Sequence, residues 1–379
     1  MTAAFFLCRK PDLRFNSTMR FAVLVLVLWA AAPLLAQPSF VAQQSNTQAS
    51  LRGISAVSSK IAWASGSGGT WLRTLDGGNT WTAAVLPGGE ELDFRDIEAF
   101  DANTAYLLAA GPAEKSRIYK TSDGGQHWSM LLSNRDPKGF WDCMAWWDRD
   151  HGLLVGDPVD LRFQVLITTD GGASWITARP DALPGEGLFA ASGTCTAVHG
   201  GYRKVSETNG WHVEALAWLA TGGSTVTRVL RTGDAGASWS PVATPVIAGV
   251  PSAGIFSIAF RDSSYGLIVG GDYQKPNAAE RNIAISNDSG KSWLRIASNP
   301  PRGYRSGVAF VPGKQNEVVA VGTTGADASH DGGRTWQPLD SENYNAVSFA
   351  RDGSGWAVGP KGRIARYVEP KRRSLLGMR

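Results

Sequence analysis

The sequence predicts an all-β fold, a single seven-bladed β-propeller built from four-stranded blades. Three observations support this prediction. One octapeptide pattern recurs six times, strand-like runs surround each copy, and the 379 residues include 44 glycines and 15 tryptophans. Many glycines and aromatic residues together are typical of short strands joined by tight turns. A four-stranded unit that recurs about every 45 residues is the sequence pattern of a propeller blade.

The octapeptide consists of Ser or Thr, any residue, Asp, any residue, Gly, any two residues and Trp. Successive aspartates lie 47, 47, 64, 54 and 43 residues apart, at Asp76, Asp123, Asp170, Asp234, Asp288 and Asp331. In such a turn the aspartate accepts hydrogen bonds from backbone N–H groups further along the loop, and the glycine supplies a positive φ. The tryptophan begins the next strand and packs back over the turn. We therefore expect the six aspartates to be structural rather than catalytic.

The strand-like runs around each octapeptide place it between the third and fourth strands of a blade. Six such units lie near residues 51–87, 91–133, 139–184, 186–246, 254–300 and 303–340. A seventh unit has only three strand-like runs, at 344–349, 355–359 and 363–368. We expect residues 39–43 to supply its fourth strand, so that the N-terminal and C-terminal strands pair and close the ring. Six blades with an irregular tail are the alternative.

The N-terminus resembles a secretory signal of residues 1–36, with Met19 as an alternative start. Arg20 precedes an apolar run at 21–35, and a small residue, Ala36, stands at the expected cut. The run is shorter than the roughly 20 apolar residues of a membrane span. We therefore expect an exported protein, periplasmic or extracellular, without stable membrane insertion after cleavage. A retained N-terminal anchor is the alternative. The propeller is expected at 37–368 and a basic tail at 369–379.

Charge and cysteine content limit the function classes. Loss of residues 1–36 leaves 33 basic and 32 acidic residues, a net charge of +1, so the sequence gives no sign of nucleic-acid binding. Cys143 and Cys195 remain, and either pair in an oxidising compartment or, as we favour, are small buried apolar residues. No ligand spacing predicts a metal, and no dinucleotide fingerprint or haem attachment sequence predicts a cofactor or supports an oxidoreductase.

The six octapeptides resemble the Asp-box, or bacterial neuraminidase (BNR), repeat of sialidases, xyloglucan-degrading glycosidases and sortilin-type receptors. One copy in nearly every blade of a single ring is most similar to the photosystem II assembly and stability factor family and its non-photosynthetic bacterial relatives. Residues 140–147 with 156–158, and 254–260 with 270–273, carry that resemblance, which covers about residues 39–368. It implies a propeller that works as a binding or assembly module.

Connectivity predicts where a ligand would bind. The octapeptides join strands 3 and 4 and share one face of the ring, so we expect the site on the opposite face, at the mouth of the central channel. Aligning the first strand of each blade brings three arginines to one position, where guanidinium groups would bind a carboxylate or phosphate. The expected ligand-binding residues are Arg52, Arg95, Arg305, Tyr273, Tyr304 and Tyr344.

Four carboxylates fall at strand ends on the other side of the same face, namely Asp142, Asp157, Glu186 and Asp272. The mouth is thus predicted to be basic on one side and acidic on the other, and ordinary exposed loop charges are the alternative. A retaining or inverting glycoside hydrolase would need two of these carboxylates at a defined separation, or Tyr273 or Tyr304 as a nucleophile. The sialidase arginine motif ahead of the first octapeptide and a second propeller are both lacking.

We therefore predict a monomeric binding or assembly module whose partner is a protein or an acidic glycan, with glycoside hydrolysis as the alternative function. A long insertion in the fourth repeat, near residues 200–213, contains Tyr202 and Trp211. Aromatic side chains there would suit a partner surface. A locally packed hairpin is the alternative.

Overall fold

A computed structural model describes residues 37–207 and 210–369, without the side chains of 203–214. The predicted signal segment and most of the basic tail therefore lie outside the described residues. Within them the chain forms seven antiparallel sheets of four strands each. The seven-bladed all-β prediction is confirmed. In the described part of the chain, no helix is long and apolar enough to span a bilayer.

Blades 1 to 4 follow the chain from the innermost strand outward. Blade 1 contains β2 (Leu51–Ala56), β3 (Ala62–Gly66), β4 (Thr70–Thr74) and β5 (Thr82–Val85). Blade 2 contains β6 (Phe94–Ala99), β7 (Ala105–Ala109), β8 (Arg117–Thr121) and β9 (Ser129–Ser133), with a 3₁₀ turn at Ala113–Lys115. Blade 3 contains β10 (Trp141–Trp146), β11 (Gly152–Val159), β12 (Arg162–Thr168) and β13 (Ile176–Ala178). Blade 4 contains β14 (Thr196–Glu207), β15 (Gly210–Ala220), β16 (Arg228–Thr232) and β17 (Ser240–Ala243).

Blades 5 and 6 repeat this order, and blade 7 combines both ends of the chain. Blade 5 contains β18 (Ala253–Phe260), β19 (Gly266–Asp272), β20 (Ile283–Ser286) and β21 (Leu294–Arg295). Blade 6 contains β22 (Gly307–Phe310), β23 (Val318–Gly322), β24 (Gly325–Ser329) and β25 (Gln337–Asp340). Blade 7 contains β26 (Ala346–Phe349), β27 (Gly355–Val358), β28 (Ile364–Val368) and, outermost, β1 (Ser39–Gln43).

The ring closes where β1 pairs with β28, in register from Ser39 opposite Val368 to Gln43 opposite Ile364. The predicted closure by the two terminal strands is confirmed. Gln43 also joins blade 7 to blade 1, because its Oε1 accepts hydrogen bonds from Trp81 Nε1 at 3.0 Å and Trp356 Nε1 at 3.1 Å. Its Nε2 donates to the Gly77 carbonyl at 3.1 Å.

The octapeptide turns share the hydrogen bonds made by their Ser or Thr hydroxyl and by their Asp, shown by the copy at 168–175, whereas the partner of the Trp indole N–H differs between copies, as Trp81 and Trp175 show. The Thr168 hydroxyl donates to Asp170 Oδ1 at 2.9 Å and accepts from the Gly172 N–H at 2.9 Å. Asp170 Oδ1 also accepts the Ser174 N–H at 2.9 Å, and Trp175 Nε1 donates to the Gly172 carbonyl at 3.1 Å. The aspartate thus satisfies turn N–H groups, and its role here is structural.

The hydrophobic core is divided among the interfaces between blades. Seven clusters of buried residues occur, and each joins strands of two neighbouring blades. In the interface between blades 2 and 3, for example, Tyr106 stacks on Trp146 with ring centroids 4.1 Å apart. A single blade leaves both faces of its sheet apolar, so each blade depends on its two neighbours for burial.

Side chains also link the innermost strands of neighbouring blades. Backbone N–H groups donate to polar side chains one blade earlier, as Ala99 does to Ser55 Oγ at 3.0 Å and Met144 to Asp96 Oδ2 at 2.8 Å. Between blades 3 and 4 the link is covalent, because Cys143 and Cys195 form a disulfide. The interpretation of the two cysteines as unpaired apolar residues is therefore wrong, although both side chains are fully buried.

The insertion in the fourth repeat is a β-hairpin in which β14 and β15 extend beyond the rest of blade 4. Tyr202 packs locally, since its ring stacks on His151 with centroids 3.9 Å apart and meets Trp147 edge-on. The side chain of Trp211 lies outside the described residues. For Tyr202 the structure therefore matches the packed-hairpin alternative.

Candidate ligand site at the mouth of the channel

A β-bulge near the start of the innermost strand decides which side chains face the channel mouth. In blades 1, 2, 3 and 5 the pairing between the first two strands skips one residue, leaving Arg52, Arg95, Asp142 and Phe256 unpaired. Bulges re-aim side chains and are common beside functional sites. Two arginines, an aspartate and a phenylalanine thus occupy one structural position in four blades.

These four residues line a single pocket of about 530 Å3, which we call the mouth. It opens on the face opposite the octapeptide turns, because innermost strands begin there. Ser306 and Asn345, which immediately precede β22 and β26, extend the lining to blades 6 and 7. The mouth therefore brings together six of the residues that the sequence predicted for this face, namely Arg52, Arg95, Asp142, Asp157, Tyr273 and Tyr304.

The two arginines of the mouth share one carboxylate. Arg95 Nε lies 2.8 Å from Asp93 Oδ2, whereas Arg52 Nε lies 4.0 Å from the same oxygen and has no hydrogen-bond partner within the described protein. Burial, and next the neighbouring charge of Arg95, lower the pKa of Arg52. Two guanidinium groups with one shared counter-ion leave a positive charge that an anionic ligand would neutralise.

The acidic side of the mouth is more deeply buried. Asp142 is 1% exposed, and its Oδ2 has no hydrogen-bond partner within the described protein. Burial, and next the charge of Asp157, raise the pKa of Asp142 well above its usual range, and burial also raises the pKa of Asp157. A carboxyl group in this environment favours its neutral form.

Residues 187–194, the connection that leads into β14, cross the channel beneath the mouth, and we call them the plug. The Leu188 N–H donates to Asp157 Oδ1 at 2.8 Å, and the Ala190 carbonyl accepts from Arg95 Nη1 at 3.2 Å. Phe189 stacks on Phe256 with ring centroids 3.8 Å apart. Contacts with blades 2, 3 and 5 thus hold the plug in place.

The second half of the plug forms hydrogen bonds with residues of blades 5 and 6. Ser192 Oγ donates to the Ser306 carbonyl at 2.6 Å, and Thr194 Oγ1 lies 2.6 Å from Ser257 Oγ. Cys195 follows directly and carries the disulfide to Cys143, which adjoins Asp142. The plug is therefore anchored covalently beside the acidic side of the mouth.

Arg305 is not part of the mouth. Its side chain is fully buried, and its Nε donates to Asp327 Oδ2 at 2.9 Å. The prediction that Arg305 faces the channel with Arg52 is wrong, because Arg305 lies one residue before the position in blade 6 that is equivalent to Arg52. The glycine on the neighbouring strand shows this register. A Cβ on Gly322 would lie 3.1 Å from Arg305 Cα, and a Cβ on Gly66 would lie 3.0 Å from Leu51 Cα. Arg305 is therefore equivalent to Leu51 and not to Arg52. A one-residue shift turns a side chain to the opposite face.

Three further candidates also lie outside the mouth lining. Glu186 forms an ion pair and hydrogen bonds with Arg228 on β16. Asp272 is 5% exposed and accepts the Gln274 N–H at 3.0 Å, which closes the loop after β19. Tyr344 is 2% exposed and donates to Asp340 Oδ2 at 3.1 Å. Each side chain is satisfied inside its own region of the fold.

Sequence reasoning misses the aromatic pair in the mouth, Phe189 and Phe256. Alignment of the first strands puts Ile255 at the bulge position of blade 5, one residue too early, and the strand pattern gives no sign of the plug. A usable signal exists, because each of five second strands has a glycine where the innermost backbone approaches closely, at Gly66, Gly156, Gly270, Gly322 and Gly359. Alignment on these glycines gives the observed register. Among the described side chains, no three potential ligands gather to hold a metal ion.

Comparisons with known proteins find the fold and no sequence family. No family model and no curated protein sequence matches the chain. A solved structure of YCF48 bound to D1 peptide is 18% identical with a TM-score of 0.59, covering 88% of this chain and 100% of that one. The structure of YCF48 from Cyanidioschyzon merolae is 20% identical with a TM-score of 0.57, covering 88% of this chain and 99% of that one. The WD40 β-propeller domain of Doa1 is 10% identical with a TM-score of 0.56, covering 89% of this chain and 98% of that one. At these identities the similarity shows a shared propeller fold.

Proposed function

We propose that this chain is an exported binding module of the assembly-factor type, which takes an anionic segment of a partner protein into the mouth. The observation that carries the proposal is the pair of guanidinium groups, Arg52 and Arg95, that share the single carboxylate of Asp93. Beside them, Tyr273 is 50% exposed and meets Phe256 edge-on. Exposed aromatic rings beside arginines are typical of residues that dominate binding energy at interfaces.

The similarity to YCF48 agrees with this proposal without carrying it, since one of the similar YCF48 structures has a peptide bound. An acidic glycan would present the same carboxylate chemistry to the two arginines. We favour a protein segment because the aromatic residues of the mouth lie beside its charges. A glycan remains a defined outcome of the test below.

Hydrolysis has less support from the geometry than binding. A hydrolase needs two carboxyl groups that reach opposite sides of the scissile bond. Glu186 is ion-paired and Asp272 is buried, while Asp157 accepts an N–H group of the plug and Asp142 is 1% exposed. A fluorogenic glycoside screen provides the direct check, and turnover that Asp142→Asn and Asp157→Asn abolish would replace the binding proposal with the hydrolase.

Binding should be measured by fluorescence anisotropy with a panel of acidic peptides and sequence-matched peptides in which Gln replaces Glu. The double variant Arg52→Ala, Arg95→Ala is compared with Arg351→Ala, an exposed arginine in the turn between β26 and β27 on the octapeptide face. We expect the double variant to weaken binding of the acidic peptides at least tenfold and the control to leave it unchanged. We also expect affinity to fall as salt is raised.

Equal affinity in the double variant, or no preference for acidic over neutral peptides, would refute the mouth as the site. Binding only to uronic-acid or sialic-acid glycans on an array, again lost in the double variant, would keep the site and change the partner class. These outcomes separate the location of the site from the identity of its ligand.

The export part of the proposal rests on the apolar run at 21–35 and on the Cys143–Cys195 disulfide. Disulfides persist in oxidising compartments and are rare in the cytosol. Cell fractionation followed by N-terminal sequencing of the mature protein tests it. We expect a new N-terminus near Gln37 in the periplasmic or secreted fraction, and an intact N-terminus in the cytosol would contradict export.

A further inference from the structure

A second cavity, which we call the channel cavity, opens at the other end of the central channel. Its volume is about 850 Å3, larger than that of the mouth, and all seven innermost strands line it. The lining includes the last residues of several innermost strands, such as Ala99, Trp146 and Phe260, and the turn at 312–315, so the cavity opens on the octapeptide face. Ser192, Gly193 and Thr194 of the plug form its floor. The plug thus gives the channel cavity a closed inner end.

The walls of the channel cavity combine apolar side chains with polar groups such as Ser55, Thr196 and Ser348. Small and branched side chains from six blades alternate around it, namely Ile54, Ala99, Ala145, Ile258, Val308 and Val347. Aromatic rings at the ends of three innermost strands, Phe260, Phe310 and Phe349, also line it. Small-molecule sites are commonly concave cavities in which apolar side chains are combined with polar groups that fix the orientation of the ligand.

Glu98 is a partly exposed carboxylate in this lining. It lies on β6, and among the described residues its carboxylate makes no hydrogen bond and no ion pair. Arg261 and Lys314 are ion-paired, whereas Asp96, a neighbouring buried carboxylate, is held within the described protein only by backbone N–H groups. Asp96 Oδ2 accepts the Met144 N–H, Arg261 Nε lies 3.0 Å from Asp262, and Lys314 Nζ lies 2.9 Å from Glu317.

Glu98 lacks the counter-charge that a carboxylate at the wall of a cavity normally has. Burial raises the pKa of Glu98 to about 7. A positively charged group placed beside it would favour the ionised form and supply the missing partner, while the apolar walls would accept the hydrocarbon part of the same molecule. The mouth, with its two arginines, offers the opposite charge.

We infer that the channel cavity is a second binding site, which takes an organic cation with an ammonium or guanidinium head and an apolar body. The head group pairs with Glu98, and the body lies along the walls formed by the innermost strands. This site is independent of the anion site proposed for the mouth, because the plug lies between them. Either a free amine or a lysine side chain of a protein carries this chemistry.

The test uses isothermal titration calorimetry of the purified protein at pH 8 with three probes. Hexylammonium represents a free amine, N-acetyl-lysine amide represents a protein side chain, and hexan-1-ol has a similar apolar chain without the charge. Glu98→Gln removes the charge at constant shape. Its control is Glu114→Gln, the same substitution at an exposed residue of the 3₁₀ turn on the opposite face.

We expect at least one of the two cations to bind, with affinity reduced tenfold or more in Glu98→Gln and unchanged in Glu114→Gln. Preference between hexylammonium and N-acetyl-lysine amide identifies the free amine or the protein side chain as the source. We also expect binding to weaken about tenfold per pH unit below pH 7 in the wild type, because protonation removes the charge, and to be independent of pH in Glu98→Gln.

Three results would overturn the inference. They are the absence of binding by either cation, equal binding of hexan-1-ol and hexylammonium, and unchanged cation binding in Glu98→Gln. None of these results bears on the peptide experiment at the mouth, so failure of one site is distinguishable from failure of the other.

Discussion

The two ends of the central channel are built from the same seven innermost strands. They differ in how much the side chains at equivalent positions vary from blade to blade. At the mouth, equivalent positions carry an arginine, an aspartate or a phenylalanine, as Arg52, Asp142 and Phe256 show. Toward the octapeptide face most of the same strands present small or branched side chains such as Ile54, Ala145 and Val347, whereas blade 2 presents the carboxylate of Glu98. In a repeat protein the shared positions maintain the fold. The positions that depart from the repeat are where a specific function is to be sought.

The largest expected effect on stability comes from comparing Arg305, which is buried, with Arg52, which lines the mouth. Arg305 and Asp327 are both fully buried and ion-paired, so Arg305→Ala leaves the buried carboxylate of Asp327 with the half-exposed Arg302 as its remaining ion-pair partner among the described residues. We expect a loss of about 3–5 kcal/mol in the free energy of unfolding. Arg52→Ala, at a partly exposed site, should change it by less than about 1 kcal/mol. Urea denaturation of both variants checks this, and equal losses would contradict the assignment of Arg305 to the interior.

The plug that separates the two ends should depend on its covalent anchor. Replacing both Cys143 and Cys195 by alanine removes the link between blades 3 and 4, which spans 52 residues of sequence. We expect the free energy of unfolding to fall by about 2–4 kcal/mol. Hydrogen exchange at the Leu188 and Ala190 amides should quicken more than exchange in the blade 6 strands. Uniform acceleration throughout the ring would mean that the disulfide does not specifically hold the plug.

Glu98 should make the channel cavity sensitive to pH. Its pKa is raised from 4.5 to about 7, so the wild type loses stability as pH rises through this window. Glu98→Gln should therefore be more stable than the wild type by about 1–3 kcal/mol at pH 8 and equally stable at pH 4. Thermal unfolding at the two pH values measures the difference. An equal effect at both pH values would show that the charge of Glu98 is not the cause.

The octapeptide turns should show the opposite and smallest pH effect. Hydrogen bonds from the Ser174 side chain and then its N–H lower the pKa of Asp170 from 3.8 to about 2. The stabilisation is therefore present above pH 4 and is lost as pH falls through about 2. Asp170→Asn should flatten this part of the stability profile, whereas Glu98→Gln should leave it unchanged. Unfolding midpoints between pH 5 and pH 2 provide the check.

The fold could be predicted from the sequence because its turns are local. An octapeptide such as 168–175 contains both partners of each hydrogen bond that closes it, so the pattern is complete within eight residues. The closure by residues 39–43 follows from counting strands. The site is only partly predictable, since the first-strand alignment places Arg52 and Arg95 correctly but Arg305 one residue out of register. A bulge or a one-residue shift changes the direction in which a side chain points. The pattern of apolar residues in the sequence changes too little to show where this happens.

The plug and Glu98 could not be found in the same way. The plug is held by contacts with residues distant in the sequence, such as Arg95, Asp157 and Ser306, and no local pattern specifies them. Glu98 is visible in the sequence only as one charged residue in a strand. Its lack of a partner is a property of the assembled ring, because candidate counter-ions such as Arg261 are paired elsewhere.

The pairing of β1 with β28 also sets an order of events during synthesis. Gln43 is made about 320 residues before its partner Ile364. At about 5–20 residues per second, the first strand waits roughly 15–60 s for its partner. Until β28 has been made, β1 has no partner strand and the ring is an open chain of blades, so its closure is among the last pairings of the propeller to become possible.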